Sequence, residues 1–158
     1  MIIGTGIDLV DIPRFERTVA RTPRLMQRLF APSEQTLRLA SLAARYAAKE
    51  ALIKALGGSD GVHWTEIEVA SEPSGRPYFV LTGSTAAVVA ERGIANLHLS
   101  LTHDAGLAAA YVVAEGPADS AFPSSARLSL PAATSLRGGK DDAGRETRQE
   151  TGVGEGRA

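Results

Sequence analysis

The sequence predicts an α+β domain whose sheet is mostly antiparallel and is packed with one long helix and several shorter ones. Three observations predict it. An apolar strand opens the chain, one long stretch of helical period stops at Gly57-Gly58, and two pairs of strand-like segments are each joined by a short turn-rich connection rather than by a helix. The order strand, helices, hairpin, helix, hairpin does not fit a doubly wound parallel sheet.

Residues 2–11 carry branched apolar side chains and two glycines, and read as a strand that ends near the acidic pair Asp8 and Asp11. Pro13 suits the first turn of a helix. Thr22-Pro23, a capping residue followed by proline, predicts the start of a second helix. Residues 41–56 form the longest helix, with Leu42, Tyr46, Ile53 and Leu56 on its apolar face. Residues 66–70 and 78–81 flank Ser71-Glu72-Pro73-Ser74-Gly75-Arg76-Pro77, which predicts a hairpin. A short helix over 84–91 stops at Gly93, and strands over 97–102 and 107–114 surround His103-Asp104-Ala105-Gly106.

The chain has 158 residues, 44% hydrophobic and 22% charged, the size and balance of one globular domain. Seventeen basic against 18 acidic residues leave a net charge of −1, so the whole-chain field gives no argument for nucleic acid or an anionic membrane. The absence of cysteine excludes disulfides, thiolate zinc sites and a thiol nucleophile. The first residues lack a basic leader, and no apolar run approaches the ~18 residues of a membrane span, which predicts a soluble cytoplasmic protein. A compositional boundary falls at Gly116-Pro117. Residues 1–116 read as the folded domain. Residues 117–158, whose larger apolar residues are Phe122, Leu128, Leu130, Leu136 and Val153, read as a disordered tail, with a docking stretch around Leu128 as the alternative.

Several residues are candidates for chemistry. Asp8 lies inside an apolar strand, where a carboxylate must be hydrogen-bonded, paired or metal-bound; the pattern alone favours the hydrogen-bonded or strand-end reading. Glu50 and Lys54 are one helical turn apart and suit a surface ion pair. The same two carboxylates, flanked by Arg45, Lys49 and Lys54, also suit a magnesium–phosphate site, because Mg²⁺ takes one or two protein carboxylates and fills its other positions with water and phosphate oxygens. No Walker loop or dinucleotide fingerprint is present. His63, His98 and His103 lack zinc-helix spacing, and Ser100, His103 and Asp104 lack a nucleophile elbow. Arg14, Arg17, Arg21, Arg24 and Arg28 recur at helical spacing with only Glu16 opposing them, which suits an acidic partner or a solvated face. Pro23 should split this stripe into two adjoining faces.

Three segments together resemble the holo-acyl-carrier-protein synthases, the short group of 4′-phosphopantetheinyl transferases. They are Gly6-Ile7-Asp8-Leu9-Val10-Asp11-Ile12-Pro13-Arg14-Phe15, the run from Arg45-Tyr46-Ala47-Ala48-Lys49-Glu50 through Lys54 to Gly57, and Leu99-Ser100-Leu101-Thr102-His103-Asp104. The resemblance covers residues 1–116 and implies the phosphopantetheinyl transferase fold. It implies an enzyme that moves the phosphopantetheine arm of coenzyme A to a serine of apo acyl carrier protein in fatty acid biosynthesis, releasing adenosine 3′,5′-bisphosphate. On the same ground Mg²⁺ falls to Asp8 and Glu50, the coenzyme A phosphates to Lys54 and Arg45, and the adenine side to Gly75, Arg76 and Pro77. His103 would come from a neighbouring subunit of a homotrimer. The serine's base would be Glu50 or a water on the metal, with His103 next. The arginine stripe would meet the acidic carrier. Asp104 departs from the family pattern, where a small hydroxyl residue is common, and a carboxylate there must turn away from a phosphate or pair with His103. The compact stretch over 30–41 implies a shorter surface facing the carrier.

Overall fold

The structure, a computed structural model, describes residues 1–118. The expected tail thus lies, but for Pro117 and Ala118, outside the described residues.

Strand β1 (Ile2–Asp11) runs into helix α1 (Ile12–Arg21), whose N-terminus is capped by Asp11: its Oδ1 accepts the Arg14 N–H at 2.7 Å. Asp11 is therefore a capping residue, and Pro13 sits in the first turn as expected. Thr22-Pro23 does not begin the next helix. Proline disfavours helical backbone at the residue before it, so Thr22 is extended and closes α1, donating its N–H to the Thr18 carbonyl. The chain turns at Arg24 (φ 63°), and α2 is the single short piece Leu25–Leu29.

Helix α3 (Leu39–Ala55) starts two residues earlier than expected. It ends where Gly57 (φ 78°) donates to Lys54 O and Gly58 to Ile53 O, the paired bonds of a Schellman stop. A 3₁₀ turn, Trp64–Glu66, precedes the hairpin of β2 (Ile67–Ser71) and β3 (Pro77–Leu81). Glu66 belongs to that turn rather than to the strand. Its Oε2 accepts from the Thr85 N–H and hydroxyl, both at 2.8 Å, and so serves the start of α4 (Gly83–Glu91). β4 (Asn96–Asp104) and β5 (Leu107–Glu115) are longer than expected, because His103 and Asp104 continue the ladder and only Ala105 and Gly106, both at positive φ, make the turn.

All strand pairings are antiparallel, but they form two sheets, β1-β5-β4 and β2-β3. α3 lies across the first. Val10, Ala108, Ala110, Val112 and Ala114 point from the sheet into a core with Ala47, Ala48, Ala51, Leu52 and Ala55 of the helix. Alternation of side chains along the strands leaves the opposite face bare, with Ile7 at 64% and Leu9 at 60% exposure beside exposed Leu107 and Tyr111.

The backbones of β1 and α3 meet because β1 offers no side chain at two successive inward positions. A Cβ on Gly4 would collide with the Ala55 carbonyl oxygen, and one on Gly6 with that of Ala51. Asp8 is the next residue of that face, and it emerges where Glu50 and Lys54 project from the helix.

The segment between α2 and α3 is anchored by charge. Lys49, wholly buried, donates to Glu34 Oε2 (2.7 Å), Leu29 O (2.7 Å) and Trp64 O (3.2 Å), and its ammonium lies 4.9 Å from the Phe30 ring centre. Glu34 accepts in turn from the Ala31 and Val69 N–H groups. Burial pushes the Lys49 pKa below its ordinary value, and the Glu34 hydrogen bond opposes that fall.

Candidate active site

A cavity of about 540 Å³ opens between β1, α1, α2 and α3. Asp8 and Glu50 both line it, with Asp11, Arg14 and Thr18 at its polar edge and Phe15, Leu25, Leu29 and Tyr46 as its apolar wall. The strand and the helix thus bring to one place the two carboxylates singled out in the sequence.

Lys54 does not form the one-turn pair with Glu50. Its ammonium donates instead to Asp8 Oδ1 (2.7 Å) and to Ile7 O (2.9 Å), across the strand–helix contact. Asp8 is thereby both a strand residue and an ion-paired one. Glu50 Oε1 accepts from the Tyr46 hydroxyl at 3.3 Å. Burial raises the Tyr46 phenol pKa, and the Glu50 carboxylate beside it raises it further. The remaining oxygens, Asp8 Oδ2 and Glu50 Oε2, have no protein partner among the described residues.

Whether this pair fits a divalent cation is decided by its donors. No cluster of three or more His, Cys, Asp or Glu exists among the described residues. That excludes an all-protein cage but suits Mg²⁺, which binds through one or two carboxylates and completes its shell from water and substrate phosphate. The open oxygens of two carboxylates that line one cavity meet that need; Arg14 lines the same cavity, and Lys54 brings its charge to Asp8.

The other sequence candidates lie elsewhere on the chain. Arg45 points to the opposite side of α3, where its Nε donates to Val69 O and its Nη1 to Ser41 O, 3.9 Å from the Glu34 carboxylate. His103 is exposed on β4, opposite Ala108. β5 separates it from β1, so it stands two strand spacings, about 10 Å, from β1. It forms no ion pair with Asp104, which is also exposed. Ser100 and His103, three apart on one strand, face opposite sides of the sheet and cannot form a triad. Gly75 and Arg76 are exposed in the β2–β3 turn, and Arg76 borders a second, smaller cavity with Tyr78 and His98.

The five arginines Arg14, Arg17, Arg21, Arg24 and Arg28 are all exposed, and none pairs with a carboxylate among the described residues. Pro23 does divide them: Arg14, Arg17 and Arg21 stand on α1, Arg24 in the turn, and Arg28 on α2. Three contributors to the site take roles the sequence did not assign them, and Lys49, expected as a cation flanking the phosphate site, is instead buried against Glu34. Arg14 lines the cavity itself, Tyr46 holds Glu50, and the Lys49–Glu34 pair supports the cavity wall through Leu29. Of these, only Tyr46 carried a local signal, its one-turn spacing from Glu50.

Comparison with known proteins covers this same region. The family profile of the 4′-phosphopantetheinyl transferase superfamily matches residues 4–112. The holo-[acyl-carrier-protein] synthase of Clavibacter michiganensis subsp. michiganensis is 56% identical over 118 residues, which are 75% of this chain and 99% of that protein. Among solved structures, the acyl carrier protein synthase of Mycobacterium tuberculosis is 40% identical with a TM-score of 0.60, covering 74% of this chain and all of that one. The Helicobacter pylori holo-[acyl-carrier-protein] synthase, solved in complex with coenzyme A, is 33% identical with a TM-score of 0.63, covering 70% and 99% of the two chains. No helix among the described residues is long and apolar enough to cross a membrane. The chain is therefore an enzyme of the 4′-phosphopantetheinyl transferase superfamily and belongs to its holo-[acyl-carrier-protein] synthase group.

Proposed function

We propose that the cavity between β1 and α3 is where phosphopantetheine passes from coenzyme A to a serine of apo acyl carrier protein. The observation that carries this reading is the meeting of Asp8 and Glu50 at one cavity, each with an oxygen left open. The coenzyme A complex of the Helicobacter pylori relative supports the choice of donor.

The serine oxygen attacks the β-phosphorus of the pyrophosphate. Its hydroxyl proton passes to a base, for which Glu50 or a water held beside it is the first candidate and His103 of a neighbouring subunit the next. The bond to the bridging oxygen breaks, and adenosine 3′,5′-bisphosphate leaves with that oxygen. Asp8 and Glu50 are the residues that would hold Mg²⁺, which when bound supplies positive charge to the pyrophosphate oxygens. Lys54 anchors Asp8 and offers its ammonium to the phosphates once substrate competes for it. On the resemblance alone, Arg45 is assigned to the 3′-phosphate and Gly75, Arg76 and Pro77 to the adenine side; Arg45 lies across α3 from the cavity, and its Nη2 makes no hydrogen bond among the described residues.

His103 lies too far from Asp8 on the same chain to serve the same cavity, which supports a neighbouring subunit as its source. The bare apolar face of Ile7, Leu9, Leu107 and Tyr111 supports burial of this sheet against further copies, as a homotrimer requires. Arg14 borders the cavity, and the exposed arginines of α1 and α2, which pair with no carboxylate among the described residues, suit a small acidic carrier. We take residues 1–116 as the catalytic domain, a reading supported by the match of 75% of this chain to nearly the whole Clavibacter relative. Residues 117–158 are assigned no part in the reaction. We place the enzyme in the cytoplasm, in fatty acid biosynthesis.

The test is to incubate the protein with apo carrier, coenzyme A and Mg²⁺, with and without a chelator, and to weigh the carrier. Gain of one phosphopantetheine only without chelator supports the reading. An unchanged mass under both conditions, or equal gain under both, contradicts it.

A further inference from the structure

Tyr46 contacts Glu50, and it is held from two sides. The two residues are one turn apart on α3, and the Tyr46 hydroxyl donates to Glu50 Oε1 at 3.3 Å. The Tyr46 ring stacks on Trp64, the only tryptophan of the chain, with centroids 5.2 Å apart and planes 16° from parallel. Phe15 closes the other approach at 5.5 Å. Trp64 is itself fixed, because its carbonyl accepts from the buried Lys49. A ring held by Trp64 of the 3₁₀ turn and Phe15 of α1 has little freedom to follow a rotating carboxylate, so the carboxylate settles against the hydroxyl.

From this geometry we infer that Tyr46 is a positioning residue that occupies Oε1 of Glu50 and so leaves Oε2 as the single oxygen offered to a divalent cation. The inference rests on the assignment of Glu50 as a metal ligand. A carboxylate limited to one oxygen suits Mg²⁺ and Mn²⁺, which favour compact octahedral shells. A carboxylate free to chelate through both oxygens suits Ca²⁺, which accepts bidentate ligands at longer distances. Tyr46 thus selects the metal as well as orienting its ligand. Loss of an outer-shell hydrogen bond to a ligating residue commonly weakens metal affinity by 10- to 100-fold.

The test is Tyr46→Phe, which keeps the aromatic stack and removes only the hydroxyl. Free Mn²⁺ is counted by electron paramagnetic resonance against the protein with coenzyme A present, and Mg²⁺ and Ca²⁺ are then titrated as competitors. Tyr46→Phe is expected to bind Mn²⁺ and Mg²⁺ about 10-fold more weakly, with Ca²⁺ affected less, so that the preference moves toward Ca²⁺. Circular dichroism should show an unchanged fold. Wild-type affinities and an unchanged preference in Tyr46→Phe overturn the inference. Glu50→Gln separates the two layers: if it binds Mn²⁺ as wild type does, Glu50 is no ligand and the underlying assignment fails. If Glu50→Gln loses Mn²⁺ while Tyr46→Phe keeps wild-type behaviour, the role of Tyr46 alone fails.

Discussion

Gly6 and Ala51 touch through their backbones: the inward face of Gly6 lies so close to the Ala51 carbonyl that a methyl group there would overlap it. This contact sets the separation of β1 from α3 and, with it, the approach of Asp8 to Glu50 and Lys54. The obstacle is helix backbone, which cannot swing aside as a flexible side chain can.

Gly6→Ala is accordingly expected to destabilise the protein by about 1–3 kcal/mol, the range for overpacking a core. It should also lower activity in the molecules that remain folded, because the strand must lift from the helix. Urea unfolding with activity measured on the folded fraction checks both effects. Full stability in Gly6→Ala would mean that the two elements are not held as described.

Lys49→Met leaves buried Glu34 with only the more distant Arg45 as a cation and is expected to cost up to about 3–5 kcal/mol. Adding Glu34→Gln removes the stranded charge but keeps an acceptor for only one of the two N–H groups, since Ala31 donates to Oε2 and Val69 to Oε1, so it should recover only part of the loss. Chemical denaturation of the three proteins tests this coupling. A double variant less stable than Lys49→Met would contradict it.

Much of this architecture was legible because it depends on local chemistry. Pro13 reads as a helix start, Gly57-Gly58 as a stop, and residues 71–77 as a turn, since each acts on its own neighbours. Thr22-Pro23 failed because the restriction proline places on the preceding residue outweighed the capping preference of threonine. The division into two sheets and the burial of Glu34 were not legible, because both depend on contacts between distant segments. At the site, Asp8 and Glu50 were identified by residue type and resemblance. That Lys54 turns to Asp8 rather than to Glu50 follows from the closeness of β1, which a helical repeat does not contain.

Glu66 has its pKa lowered to about 2, chiefly by the Thr85 backbone N–H and then by the Thr85 hydroxyl. Since the folded value lies below the ordinary value of 4.5, the contribution to stability is fully present above about pH 4.5 and is lost as pH falls toward 2. Glu66→Gln should therefore be less stable than wild type at pH 6, with the gap narrowing across that window. Urea midpoints at pH 6 and pH 3 test the sign. A gap that widens on acidification would refute it.

Arg17→Glu with Arg21→Glu reverses charge on one side of α1 without touching Arg14, which lines the cavity, and neither arginine pairs with a carboxylate among the described residues. Each partly exposed contact is worth on the order of 1 kcal/mol, so kcat/KM for the carrier should fall by about one to two decades. The KM for coenzyme A should change little, and added salt should weaken carrier binding by wild type more than by the variant. Equal damage to both substrates would remove the arginine face from carrier docking.

The central claim, that transfer occurs where Asp8 and Glu50 meet, is tested most directly by the mass of the carrier after reaction with wild type, Asp8→Ala and Glu50→Gln at ordinary Mg²⁺. Folding of each variant is confirmed beforehand by circular dichroism. The account predicts one added phosphopantetheine with wild type and a rate lower by about 10²-fold or more with either variant. Near wild-type modification by either folded variant would contradict it and move the active site away from the β1–α3 cavity.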